Sequence, residues 1–353
     1  MAAATGEEAI RPASASPTVN AQGEDTAAAV AQDLPMKGGL HINSQEKAEE
    51  IMIFSSCQRP YMRGFHGAWL SFFFAFLGWF AFAPLMTTIR DYVDISKDDI
   101  ANAGIASVAT TIFTRFAVGP AIDRWGPRRC MASLLFYGVV PVTLGAFTNG
   151  PTYLLVIRAA IGVVGGAFVP CQAWTSLLFA PRIVGTANAF SAGWGNLGGG
   201  VTQLAMPAFM AVFVALGAEE SSAWRMAMIV PAVLFLCVGT FVWMCCDDCP
   251  QGKYEDLKRT GELDKRKKKV REEEGADQQS LWLMPSVWFL HLQYGCCFGV
   301  ELVVNNVMSI YLFDYFCEPG FVQKAFSNGP HPPRSRFPHA PTLAARSHNF
   351  FKN

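Results

Sequence analysis

The chain has 353 residues, 28 basic and 28 acidic, so its formal net charge is zero; 51% of residues are hydrophobic, 16% are charged and the mean hydropathy is +0.24. Soluble domains carry about 25% charged residues. The charge concentrates in the first 65 residues and in Asp247 to Asp277, with long apolar runs between; this excludes an ordinary soluble domain and is the distribution of a polytopic membrane protein.

Residues 1 to about 50 read as a disordered cytoplasmic tail rich in Ala, Ser, Glu and Gly. They contain no long apolar core, so no cleavable signal peptide is expected. Arg59 and Arg63 precede the first apolar run, and the first membrane helix is expected over His66 to Ile89. At 1.5 Å per residue such a run crosses the ~30 Å hydrocarbon layer. The second helix, Ile100 to Ala121, carries Asn102, Ser107, Thr110, Thr111, Thr114 and Arg115. A helix this polar should face other helices or a wet cavity rather than lipid.

The basic loop DRWGPRR follows, and then helices are expected at Cys130 to Phe147, Tyr153 to Leu178, Val184 to Leu216 and Trp224 to Cys245. The hydrophilic stretch 247–283, with its DKRKKKVREEE block, reads as a solvated connector. A seventh helix is expected from Met284 to Phe313. From 317 to 353, prolines, histidines and arginines occur with no helical or strand period, so an unstructured tail is expected. Arg59, Arg63, Arg124, Arg128, Arg129, Arg182 and the connector make one set of loops basic, while the loop at Glu219 and Glu220 is acidic. The N-terminus and the connector are therefore expected to be cytoplasmic. Six helices, a connector and a seventh helix are the beginning of a twelve-helix transporter.

The ten cysteines do not suggest a disulfide framework, since Cys171, Cys237, Cys296 and Cys297 lie inside apolar runs. Cys245, Cys246 and Cys249 form a CCxxC cluster at a helix end. Such a cluster can bind metal or carry a lipid, but no second ligand pair lies nearby, and no metal or other cofactor is expected. No nucleophile triad, metal-ligand spacing or phosphate loop supports an enzyme.

Gly119 to Arg129, GPAIDRWGPRR, resembles the loop between helices two and three of the major facilitator superfamily, with Pro127 as a departure from the pattern. The stretch AGWGNLGGG, 192–200, resembles the helix-five motif of the nitrate/nitrite porter family. RPYMRGFH, DDIANAGIASV and VPCQAW resemble the eukaryotic high-affinity nitrate transporters at the corresponding places.

The resemblance implies an all-α membrane protein with the major facilitator fold: a six-helix half at 51–246 and one helix of the second half at 284–316. It implies a plasma-membrane nitrate transporter working by proton-coupled symport and alternating access, with nitrate or nitrite, protons and the lipid bilayer as its partners. It also allows a small accessory membrane protein, and no nucleic acid is expected. Exchange of nitrate for nitrite, or a non-transporting partner of an intact transporter, are the alternatives. The family has twelve helices, so a chain ending after the seventh is expected to be a truncated form.

By motif position Arg115 is the first-half arginine that holds nitrate, Asn196 the motif asparagine and Phe168 an aromatic that sandwiches the anion. Tyr294 and Phe298 match the family's tyrosine and phenylalanine on helix seven; four apart, they share a helix face. Asp123, Arg124, Arg128 and Arg129 would form a cytoplasmic gate against the other half. Asn196 is expected to face Arg115, and Gly199 and Gly200 are assigned to helix packing. An acid in mid-membrane is costly, so Glu301 should pair or protonate and is a candidate for proton coupling. Arg158 reads equally as functional or as the partner of a carbonyl or an acid. His66 and His291, near helix ends, are given ordinary interfacial roles.

Overall fold

A computed structural model describes residues 36–37, 39–43, 46–51, 56–261, 265 and 284–316. The chain separates into two units, Met1–Ile310 and Tyr311–Asn353. Of the expected segments, 1–35, most of 262–283 and 317–353 lie outside the described residues.

The long helices are α1 Tyr61–Trp79, α3 Lys97–Trp125, α4 Pro127–Gly145, α5 Pro151–Gly162, α6 Phe168–Leu178, α7 Pro181–Ala215, α8 Glu220–Cys245 and α10 Pro285–Phe316. Two short ones are α2 Met86–Tyr92 and α9 Tyr254–Arg259. The expected boundaries hold to within about five residues, but the first and fourth membrane helices are each broken. Six spans are long and apolar enough to cross a membrane: 61–92, 97–125, 151–178, 181–215, 220–245 and 285–312. The expected third span exists as α4 but falls below that mark, because Arg128 and Arg129 occupy its first turn.

The break in the first span has a local cause. Pro84 has no N–H to offer Phe80 O. The N–H of Ala83 turns to Phe80 O instead, at 2.9 Å. That leaves Trp79 O without its helical partner. Arg158, only 4% exposed, donates to it from Nη1 at 3.0 Å. The arginine in α5 is thus the carbonyl-bound kind, supporting a broken helix in place of a backbone N–H. In the fourth span, VVGGA at 163–167 tightens into a 3₁₀ turn between α5 and α6. Thr111 Oγ1 donates to Gly162 O there at 2.5 Å, and Trp79 Nε1 donates to Ser107 Oγ at 2.8 Å. These bonds tie the polar stripe of α3 to its neighbours. The other side of α3 is not polar: Ile105, Ile112, Phe113 and Phe116 stand exposed.

α1 is the most enclosed helix, packing on α6, α7 and α8. The glycine motif explains its contact with α7. A Cβ at Gly195 would lie 1.8 Å from Phe72 Cδ1, and one at Gly198 would lie 2.1 Å from Phe73 O. Only bare glycine permits helices to approach so closely. Gly199 also packs, against Phe80, but Gly200 has nothing within 4 Å. The packing assigned to Gly200 therefore belongs to Gly195 and Gly198, one turn back on the buried side.

Two expectations about the polar segments need correction. Within the expected disordered tail, β1 Met36–Lys37 pairs antiparallel with β2 Leu40–His41. Leu40, Ile42 and Ala48 are buried, and Ala48 forms a bridge with Phe179 at the end of α6. Lys47 Nζ donates to Ser176 O at 3.0 Å, and Tyr61 Oη donates to Glu46 O at 2.7 Å. Three apolar side chains and a free strand of backbone at the loop after α6 are enough to dock this segment. The start of the expected solvated connector is also folded. Asp248, Cys249, Tyr254 and Leu257 are buried.

Candidate functional site

Arg115 projects from the second half of α3. Its guanidinium carbon lies 4.5 Å from the ring centroid of Phe298 and 5.4 Å from that of Phe168. It does not extend to the helix end: Nε and Nη2 are buried and make no hydrogen bond. Phe168 opens α6 directly after the 3₁₀ turn, which aims its ring across the helices. Tyr294 stacks on Phe168 at 6.0 Å and 26°, and on Phe298 at 5.5 Å and 9°. The i, i+4 spacing on α10 thus becomes a two-ring platform. Four of the expected residues, from three helices, meet here. Glu301, one turn beyond Phe298 and half-buried, is close enough for the Arg115 charge to act on it.

A guanidinium between ring faces is held by the ring quadrupoles, at about 0.5–2 kcal/mol each. Its buried donors lie in one plane and are excluded from water. A buried donor without a partner is costly. An anion with acceptor oxygens in a plane would satisfy both donors while its faces rest on the rings.

Asn196 lies on α7, and its Oδ1 is buried without a hydrogen-bond partner. α7 packs on α1 and α6. The preceding residue, Gly195, lies against Phe72, which meets Phe168 edge-on at 5.7 Å.

Of the four loop charges, Arg128 and Arg129 are engaged by this chain's own connector. Arg128 donates from Nη1 to Trp243 O near the end of α8, and its Nε lies 3.1 Å from Asp248 Oδ1. Arg129 pairs with Glu255, and Lys258 donates to Asp123 O. Arg124 lies over the ring of Trp125 at 5.4 Å. Arg59 donates to Cys245 O at 3.2 Å, and Trp174 Nε1 to Asp247 O at 3.0 Å. Together these groups satisfy carbonyls at and beyond the end of α8, as arginines near a helix C-terminus do. Gly126, at φ +84°, and Pro127, the first residue of α4, make the sharp corner on which the Tyr254 ring rests. Burial pushes the Asp248 carboxyl above the usual carboxylate range against the opposing pull of Arg128. Among the described residues no group of His, Cys, Asp and Glu is arranged to hold a metal. At the two helix ends, Trp69 Nε1 donates to His66 Nδ1 at 3.0 Å, and His291 Nδ1 lies 2.7 Å from Val287 O.

Sequence reasoning did not single out Gln203, Asn305, Asn306 and Ser309, which bond α10 to α7 and α5. The available signal was polar residues at i, i+4 in otherwise apolar helices.

Comparison with known proteins bears on the chemistry. The family model described as Major Facilitator Superfamily matches residues 68–326. The chain is 36% identical over 283 residues to the high affinity nitrate transporter 2.5 of Arabidopsis thaliana, covering 80% of this chain and 55% of that protein. It is 38% identical over 277 residues to the high-affinity nitrate transporter 2.3 of Oryza sativa subsp. japonica, covering 78% and 52%. It is also 32% identical over 200 residues to the nitrate/nitrite transporter NrtP of Nostoc punctiforme, covering 56% and 40%. The chain spans about half the length of the curated relatives it matches.

Proposed function

Since this chain belongs to the Major Facilitator Superfamily, we propose that it provides one wall of a nitrate site near mid-membrane and takes part in moving nitrate, and nitrite with it, across the membrane by alternating access. The observation that carries this reading is the Arg115 guanidinium. It is flanked by Phe168 and Phe298, and its Nε and Nη2 are buried without hydrogen-bond partners. Nitrate is planar, with three equivalent acceptor oxygens, and matches that fork. The names of the relatives support the same anion.

In this reading the span 51–246 is the first transporter half and α10 opens the second. Asn196 donates from the neighbouring wall, and Glu301 beside Arg115 is the group through which a proton is coupled. The chain lies in the plasma membrane with its N-terminus and connector in the cytoplasm, and a small accessory membrane protein is an admissible partner.

The test is nitrate binding and potential-driven uptake by the purified full chain in liposomes. Nitrate binding that weakens roughly ten- to a hundredfold in Arg115→Lys supports the reading. Absence of nitrate binding in the folded chain overturns it. Binding without uptake, together with co-purification with a full-length relative, would favour the alternative of a non-transporting partner.

A further inference from the structure

Phe168 owes its aim to the 3₁₀ turn before it, which runs over five residues, Val163–Ala167. Such a turn advances about 120° and about 2.0 Å per residue, against about 100° and about 1.5 Å in an α-helix. Over the length of this turn the difference comes to about 100° of rotation and about 2.5 Å of rise. A continuous α-helix here would carry the Phe168 ring away from Arg115. The local sequence does not impose the tightening. Pro170 withholds an N–H from Gly166 O and accounts for a break at that point, but VVGGA itself contains no proline, and the turn begins upstream, at Gly162. Because 3₁₀ hydrogen bonds are poorer than α-helical ones, the turn needs support from outside.

α3 supplies it. Thr111 Oγ1 donates at 2.5 Å to Gly162 O, on the residue where the turn begins, and lies 3.1 Å from Ser107 O. A Cβ at Gly162 would lie 2.1 Å from Ser107 O, and one at Gly165 would lie 2.6 Å from Thr111 Oγ1 and 2.9 Å from Trp79 Cη2. Ser107, Thr111 and Trp79 are all buried. Arg115 stands four residues beyond Thr111, so the hydroxyl and the guanidinium leave the same face of α3 one turn apart. One face of one helix thus carries the cation and the group that holds the turn leading to its aromatic neighbour.

We propose that Thr111 is a positioning residue for the anion site: its hydroxyl holds the 3₁₀ turn, keeps the Phe168 ring beside the Arg115 guanidinium, and so makes the site select planar over spherical anions. A planar anion uses both the fork of donors and the ring faces, whereas a sphere such as chloride uses the charge alone. Losing the ring therefore costs the planar anion more. The role presupposes nitrate at Arg115.

The test is titration calorimetry on the purified full chain, with nitrate and chloride as probes. Thr111→Val keeps the side-chain shape and removes the hydroxyl. It is expected to raise the nitrate Kd about tenfold and the chloride Kd less than about twofold. Thr111→Ser, which keeps the hydroxyl, is expected to return nitrate binding to the wild-type value. An equal rise for both anions, or no change for either, overturns the positioning role. So does failure of Thr111→Val to fold, which would make the hydroxyl a structural prop. A second readout needs no nitrate: the fluorine resonance of para-fluorophenylalanine placed at 168 is expected to move in Thr111→Val and to stay in Thr111→Ser. A resonance that does not move overturns the role whatever the chain binds. If the resonance moves but the wild-type chain binds no nitrate, the nitrate reading falls alone, and Thr111 remains the group that aims Phe168.

Discussion

At the scale of single residues, two arginines of the same membrane half have opposite fates. Arg115 keeps two donors without partners between aromatic rings, while Arg158 spends its donors on Trp79 O and Asn306. Arg115→Lys retains the charge but not the fork. Losing charge-assisted hydrogen bonds worth about 1.5–3 kcal/mol should weaken nitrate binding roughly ten- to a hundredfold, measured by titration calorimetry. Arg158→Met should leave nitrate chemistry untouched but strand the Trp79 carbonyl. The expected result is a thermal midpoint lowered by the equivalent of about 1–3 kcal/mol. The sequence motifs pointed to Arg115, Phe168, Tyr294 and Phe298, and the structure brings these four together. They did not reveal Arg158's partners, because a carbonyl becomes available only where a helix breaks, 79 residues away.

At the scale of elements, close approach and capping decide the geometry. Gly195→Ala would place a methyl group 1.8 Å from Phe72. Phe72 must then move, and Phe168 with it. Overpacking of this kind costs about 1–3 kcal/mol, and the substitution should also weaken nitrate binding. Gly200→Ala, with open space at that position, should do neither. The clasp at the end of α8 carries a pH signature. The buried Asp248 carboxyl titrates above its unfolded value, so its protonated form is favoured by folding. Its contribution is fully present below the unfolded value of about 3.9 and is lost as pH rises through the higher folded value. Proteolysis of the 247–261 segment should therefore speed up as pH rises above about 4, and in Asp248→Asn that dependence should flatten. The cysteine cluster hid this clasp from sequence reading. MCCDDC suggests ligands, yet it supplies the carbonyls and the acid that Arg59 and Arg128 take up.

At the scale of the whole molecule, the segment before the first span ties the chain together at one end. Ala48 is fully buried against the turn after α6. Ala48→Asp should release the segment, and trypsin cleavage at the nearby exposed Arg182 should accelerate severalfold, read by mass spectrometry. Helix positions, their order and the family were legible in the sequence. An apolar run of about 20 residues must satisfy its own backbone within lipid, so hydropathy alone locates it. Hydropathy did not show that 36–50 docks, because Leu40, Ile42 and Ala48 are too few to signal a core until α6 offers them a strand edge. Nor did it show which loop charges pair with the connector, that Phe72 meets Phe168 edge-on, or that Gln203 meets Ser309. Composition and spacing act along the chain, and they settled what enters the membrane and which residue types line it. Hydrogen bonds and ring contacts act across 50 to more than 100 residues, so only the packed helices decided which polar groups were satisfied and which, at Arg115, were left without a partner.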